Sequence, residues 1–117
     1  MYKLRIEDSF DSAHQLAGYQ GKCARIHGHT WKVEAIFQFD KLNDIGLSYD
    51  FKDLKVGLHG VCDWLDHKFL NDLILQPTAE HIAKKIYEEL KDLANYPTPI
   101  KIRVWESPRA YCEYEDK

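Results

Sequence analysis

His27 and His29 flank Gly28 at the head of a segment whose apolar residues then alternate with polar ones. Residues at i and i+2 of an extended chain project to the same side. With only a glycine between them, the two imidazoles can share one divalent metal. A third imidazole, His14, closes the run Phe10-Asp-Ser-Ala-His14, and a hairpin with a long loop would set it beside the first two. Three nitrogen ligands suit zinc and leave a fourth position for water or substrate. Calcium and magnesium would call for carboxylates instead. A His-x-His pair by itself is commonplace, so the metal reading leans on His14. His59 and His81 fall within predicted helices as solvated residues. No Cys-x-x-Cys pair exists from which a zinc finger could be built.

Cys23 lies four residues before His27, in the same loop, at a spacing that suits a neighbour of the metal better than a ligand. Lys22 and Arg25 favour its thiolate, and a thiolate beside an open metal position is a base or a nucleophile. The residue types alone equally allow an unreactive thiol. Cys62 and Cys112 fall on a helix and a strand, where free cysteine acts as a small hydrophobe. Asp66-His67 pairs a carboxylate with an imidazole it could orient. Adjacent residues rarely bond side chain to side chain, however, and the pair reads equally as a helix end. Glu106 ends an apolar strand behind Trp105. Its carboxylate can accept two N–H bonds from a flat guanidine-like heterocycle, or serve a turn.

The elements that must position these groups show in the hydrophobic periods. Tyr2, Leu4 and Ile6 alternate with Lys3 and Arg5, and Trp31, Val33, Ala35, Phe37 and Phe39 alternate through 30–39, which predicts two strands. Between them an irregular loop is expected over 12–28, long enough to be functional. Asp50 caps a helix with the stripe Phe51, Leu54, Leu58, Val61 and Leu65. A second helix starts at Thr78 behind Pro77, with Glu80 near the positive end of its dipole and the stripe Ile82, Ile86, Leu90 and Leu93. Asn95 and Pro97 end it. Strands return at 100–104 and 110–114 across a turn. The order β-β-α-α-β-β predicts an α+β domain, a four-stranded antiparallel sheet with two helices on one face. Aromatic residues, including Trp31, Trp105, Tyr111 and Tyr114, are expected on both sheet faces, an apolar surface that points to another subunit.

The 117 residues make one domain, 1–117, with enough core to fold without disulfides. The net charge of −3 offers no basic excess for a phosphate backbone, so nucleic acid is excluded as a partner. No apolar run would cross a membrane, and the N-terminus has no signal-peptide core. Three widely spaced cysteines predict reduced thiols and a cytoplasmic protein.

Together these pieces resemble the 6-pyruvoyltetrahydropterin synthase family, including its bacterial 6-carboxytetrahydropterin synthase branch. The resemblance covers nearly the whole chain. It rests on Phe10-Asp-Ser-Ala-His14, Cys23-Ala-Arg-Ile-His27-Gly-His29, Asp50-Phe51-Lys-Asp-Leu54-Lys55, Leu65-Asp66-His67-Lys-Phe-Leu-Asn71, Pro77-Thr78-Ala79-Glu80 and Trp105-Glu106-Ser107. It implies Zn2+ on His14, His27 and His29, and a catalytic Cys23 supported by Asp66 and His67. It also implies a pterin-anchoring Glu106 and a ring contact at Thr78. The implied architecture is the tunnelling fold (T-fold), in which trimers close a twelve-stranded barrel and stack into a homohexamer.

The three residues between Cys23 and His27 resemble the carboxy branch of the queuosine pathway. That branch converts 7,8-dihydroneopterin triphosphate to 6-carboxy-5,6,7,8-tetrahydropterin, acetaldehyde and triphosphate. Within the family the alternative is the pyruvoyl-forming reaction, which eliminates triphosphate without cleaving a C–C bond. Outside it stand a non-catalytic zinc-binding interaction domain and a zinc-hydroxide hydratase or hydrolase. Two departures from the family pattern are Gln15, where arginine is frequent, and His81, where many relatives carry asparagine.

Overall fold

The computed structural model describes residues 1–21 and 24–117. Strands β1 (Tyr2–His14) and β2 (His27–Phe39) pair antiparallel along their whole length, from Tyr2 opposite Phe39 to His14 opposite His27. Helices α1 (Phe51–Leu65) and α2 (Ala79–Lys91) follow, then strands β3 (Lys101–Ser107) and β4 (Ala110–Tyr114), in the sheet order β1-β2-β3-β4. The predicted order and sheet are those observed.

Both strands of the first hairpin run further toward the loop than their apolar alternation indicates. The reason is the inward face of β1 beyond Ile6, where Asp8, Ser12 and His14 take positions that elsewhere are apolar. Each is satisfied by a distant partner. Asp8 meets His59 of α1 at 3.0 Å, and Ser12 Oγ donates to Leu65 O and accepts from Lys68 N–H at 3.1 Å. His59 is therefore an ion-pair partner rather than merely solvated, and its hydrogen bond with Asp8 raises its pKa.

The core lies between the sheet and the helices, with Phe10, Trp31, Phe37, Leu54, Leu58, Ile82, Ile86 and Ile102 essentially inaccessible. Trp31 belongs to this core and not to an exposed sheet face, which corrects the expectation above; its indole N–H donates to Ser12 O at 3.2 Å. Tyr114 also faces the helices, packing against Tyr87. Trp105 and Tyr111 do lie on the outer face.

Asp50 caps α1 through Lys52 N–H, as its sequence position requires. Phe51 is half exposed and Cys62 takes its place in the buried stripe. Helix α2 is shorter than expected, ending at Lys91, and Leu93 beyond it is partly exposed. A 3-10 turn at Leu70–Asp72 is too short to leave a period in the sequence.

Two glycines inside α1 differ in what surrounds them. A Cβ at Gly57 would overlap the Tyr96 ring, whose hydroxyl donates to Leu54 O at 2.5 Å, whereas a Cβ at Gly60 meets nothing within 4 Å. Gly57→Ala should therefore cost about 1–3 kcal/mol by overpacking. Gly60→Ala should gain roughly 0.5–1 kcal/mol, the helix-interior penalty of glycine. Thermal melts at one protein concentration check both; equal shifts would refute the packing argument.

Candidate active site

The full-length register of β1 with β2 puts His14 opposite His27, and His29 follows two residues on along the same inward face. The imidazole centroids are 4.4, 5.3 and 4.8 Å apart, and one ring nitrogen from each lies within 4.8 Å of the other two. Among the described residues this is the one group of three His, Cys, Asp or Glu side chains gathered closely enough to hold a metal. Trp31 forms the dry floor, edge-on to both His14 and His29.

The backbone orients two of the rings. His14 Nδ1–H donates to Pro77 O at 2.7 Å, and His27 Nδ1–H donates to Arg25 O at 2.7 Å. In those tautomers the two Nε2 lone pairs confront each other at 2.9 Å, a repulsive contact that a shared cation relieves. His29 Nε2 is buried with no hydrogen-bond partner. Burial pushes the His14 and His29 pKa values down, against the Pro77 bond at His14 and the Glu106 carboxylate at His29. Both imidazoles are thereby kept in the neutral form that ligates metal. An orphaned nitrogen, two opposed lone pairs and neutral rings all fit a borderline-soft divalent ion.

The approach to His14 is held by carboxamide clamps that mimic a strand. Asn71 accepts from Gln15 N–H at 2.9 Å and donates to Gln15 O at 2.7 Å, and Gln76 does the same for Ala17 at 3.2 and 2.7 Å. The Gln15 side chain donates to Ala24 O at 3.0 Å, tying this segment to the one that leads into His27. His81 turns its Nδ1 to Gln76 O at 2.7 Å. The sequence marked Gln15 and His81 only as departures from a family pattern and gave no sign of these bonds, because backbone carbonyls and amide clamps carry no residue-type signal.

Beyond the last β2–β3 pair, Lys32 opposite Trp105, the two strands part. A cavity of about 560 Å³ opens there, lined by His29 and Glu106 together with Thr30, Lys32 and Trp105. The alternation that turns Val104 inward and Trp105 outward places Glu106 on the metal-binding face, where Oε1 stands 3.6 Å from His29 Nε2, and the register of β3 with β4 shifts between Trp105 and Ser107. An apolar hollow of similar size between α1 and α2, lined by Val56, Trp64, Leu93 and Tyr96, contains no histidine or cysteine.

Asp66 and His67 bond each other despite being adjacent, with His67 Nδ1 at 2.7 Å from Asp66 Oδ2. The backbone makes this possible. His67 takes a left-handed φ of 52°, and its N–H donates to Asp11 O at 2.7 Å, which closes the end of α1 onto β1. Asp11 N–H in turn donates to Asp66 Oδ1 at 2.8 Å. The bond from Asp11 and the imidazole together hold Asp66 below the usual carboxylate range, and Asp66 in turn raises His67. His67 is 81% exposed and belongs to the edge of the sheet along β1, apart from the three imidazoles. Thr78 caps α2, its hydroxyl accepting from His81 N–H at 3.1 Å. Cys23 and Lys22 lie outside the described residues.

Three imidazoles on one sheet face, with a carboxylate-bearing cavity beside them, define a protein with a candidate metal centre of the catalytic, open kind. The model of the family described as 6-pyruvoyl tetrahydropterin synthase matches residues 3–117, and the chain belongs to that family of pterin lyases. It is 33% identical to 6-carboxy-5,6,7,8-tetrahydropterin synthase of Haemophilus influenzae, over 99% of this chain and 100% of that one. It is also 33% identical to dihydroneopterin monophosphate aldolase of Pyrococcus furiosus, over 92% of this chain and 91% of that one. The structure superposes on Caenorhabditis elegans 6-pyruvoyl tetrahydropterin synthase with a TM-score of 0.88 at 25% identity, covering 99% of this chain and 96% of that one.

Proposed function

We propose that the chain is a zinc-dependent carbon–carbon lyase that takes 7,8-dihydroneopterin triphosphate and one water to 6-carboxy-5,6,7,8-tetrahydropterin, acetaldehyde and triphosphate. The observation that carries this reading is the meeting of the buried, unpartnered His29 nitrogen with the Glu106 carboxylate at the mouth of a ring-sized cavity. Membership of the family and the likeness to a 6-carboxytetrahydropterin synthase support it. The reaction would serve queuosine or related 7-deazapurine synthesis in the cytoplasm, by a single domain over 1–117.

His14, His27 and His29 would hold the zinc, which as a Lewis acid makes the substrate's side-chain hydroxyls and adjacent C–H groups more acidic. Glu106 accepts two N–H bonds from the amino-pyrimidine edge and fixes the register of the ring. Thr78 meets the ring from the start of α2, its hydroxyl proton remaining free to donate while its oxygen caps the helix. Cys23 removes a side-chain proton as thiolate, and His67, oriented by Asp66, moves the second. The dyad at the end of α1, beside the edge strand β1, fits a homohexamer, a dimer of trimers, in which His67 serves a site completed by a neighbouring copy.

The test is incubation of the zinc-loaded protein with dihydroneopterin triphosphate and identification of every product by mass spectrometry. The carboxylated pterin with acetaldehyde is expected. A pyruvoyl product, or a 6-hydroxymethyl pterin with the triphosphate ester of glycolaldehyde from aldol cleavage, would reassign the reaction within the family. Stoichiometric zinc with no turnover would leave only a metal-binding domain.

A further inference from the structure

Glu34 is a carboxylate on the outer face of the sheet, yet it is only 3% exposed. It stands directly opposite Glu7 on β1, a like-charge pair that would weaken the ladder on its own. Arg5 resolves the conflict by gripping both, with Nη2 at 2.7 Å from Glu7 Oε1 and Nε donating to Glu34 Oε2. Glu34 Oε1 is then free to accept the indole N–H of Trp105 at 2.7 Å. Lys32 and Arg103 stand at 3.8 and 3.9 Å from the same carboxylate.

Trp105 is the residue before Glu106 and the last of β3 to pair with β2. Its cross-strand neighbours occupy both its sides: Lys32 Nζ is 4.9 Å from the ring centroid and the Tyr111 ring is 4.4 Å away. The indole is flanked by both while it lines the cavity beside Glu106. Held by Glu34 at its nitrogen and flanked by Lys32 and Tyr111, it is fixed one residue before Glu106, at the start of the β3 irregularity, and Glu106 stands with Oε1 3.6 Å from His29 Nε2.

We infer that Glu34 and Trp105 are positioning residues: the Glu34–Trp105 hydrogen bond fixes the end of β3 that carries Glu106, and so sets the affinity for a flat, amino-substituted heterocycle. This rests on Glu106 as the ring anchor. Trp105→Phe keeps the ring and deletes only the N–H donor. It should raise KM for dihydroneopterin triphosphate about tenfold and weaken binding of 7,8-dihydroneopterin by the same factor in calorimetry, with kcat and zinc content unchanged. Glu34→Gln keeps an acceptor for the indole and should bind within about threefold of the parent, although it surrenders the charge facing Arg5. In the double variant Glu34→Gln with Trp105→Phe, KM should be no higher than with Trp105→Phe alone. Unchanged KM and binding in Trp105→Phe, or additive losses in the double variant, would overturn the inference. If the parent protein itself fails to bind dihydroneopterin, the anchoring role of Glu106 fails with it, a distinct result from an unaffected Trp105 variant.

Discussion

His29→Ala should abolish zinc binding and turnover together while leaving the fold in place. Its Nε2 is a buried nitrogen without a partner, so the metal-free protein gains no hydrogen bond from it. Removing it therefore spares the metal-free protein a desolvated polar atom, a relief that offsets part of the lost packing against Trp31. In the zinc-loaded protein the same change removes one of three ligands. Atomic absorption should find about one zinc per chain in the parent and far less in the variant, with activity falling to background. His59→Ala and His81→Ala are the controls, since both side chains bond elsewhere and neither belongs to the cluster. Full zinc occupancy after His14, His27 and His29 are all replaced by alanine would end the metal assignment.

Cys23→Ala should keep its zinc and lose roughly a hundredfold to ten-thousandfold in turnover, the range for removal of a general base. Three thiols are available in the sequence, and the fold disposes of two. Cys62 is buried in the core of α1, where burial pushes its pKa far up. Cys112 is raised as well, by burial first and then by Glu80 and Glu113. Neither supplies a thiolate at neutral pH. Cys23 has Lys22 and Arg25 as sequence neighbours, and these favour the ionised form. Cys62→Ala and Cys112→Ala should alter stability at most. Near-parental activity in Cys23→Ala would replace the thiolate by a zinc-bound hydroxide as the base. Loss of zinc would make Cys23 a ligand and close the open position.

The sequence alone revealed the helices by their three- and four-residue stripes, the caps Asp50 and Thr78, and the order of the strands, because each depends on residues close together in the chain. The imidazole trio was also legible: a His-x-His pair can face only one way on a strand, and a hairpin was the simplest way to bring up His14. The same local logic failed at Asp8, Ser12 and His14, whose polarity concealed the continuation of β1. Their partners, His59, Leu65, Lys68 and Pro77, lie 51 to 63 residues away. It failed again at Asp66 and His67, where a left-handed backbone, pinned by Asp11, lets neighbours bond.

Which polar groups are paired, which are left buried without a partner, and which are aimed at a cavity were decisions of the tertiary structure. Glu34 shows why. As a residue type in an alternating strand it is an ordinary solvent-facing carboxylate. Only the assembled sheet places Arg5 from β1 and Trp105 from β3 on its two oxygens. Burial pushes its pKa up, and those hydrogen bonds overrule burial and hold it below the usual carboxylate range. Hydrophobic period is a property of a segment and survives in the sequence. The charge state and aim of a side chain are set by groups that folding brings within a few ångströms, and their sequence separation leaves no local trace.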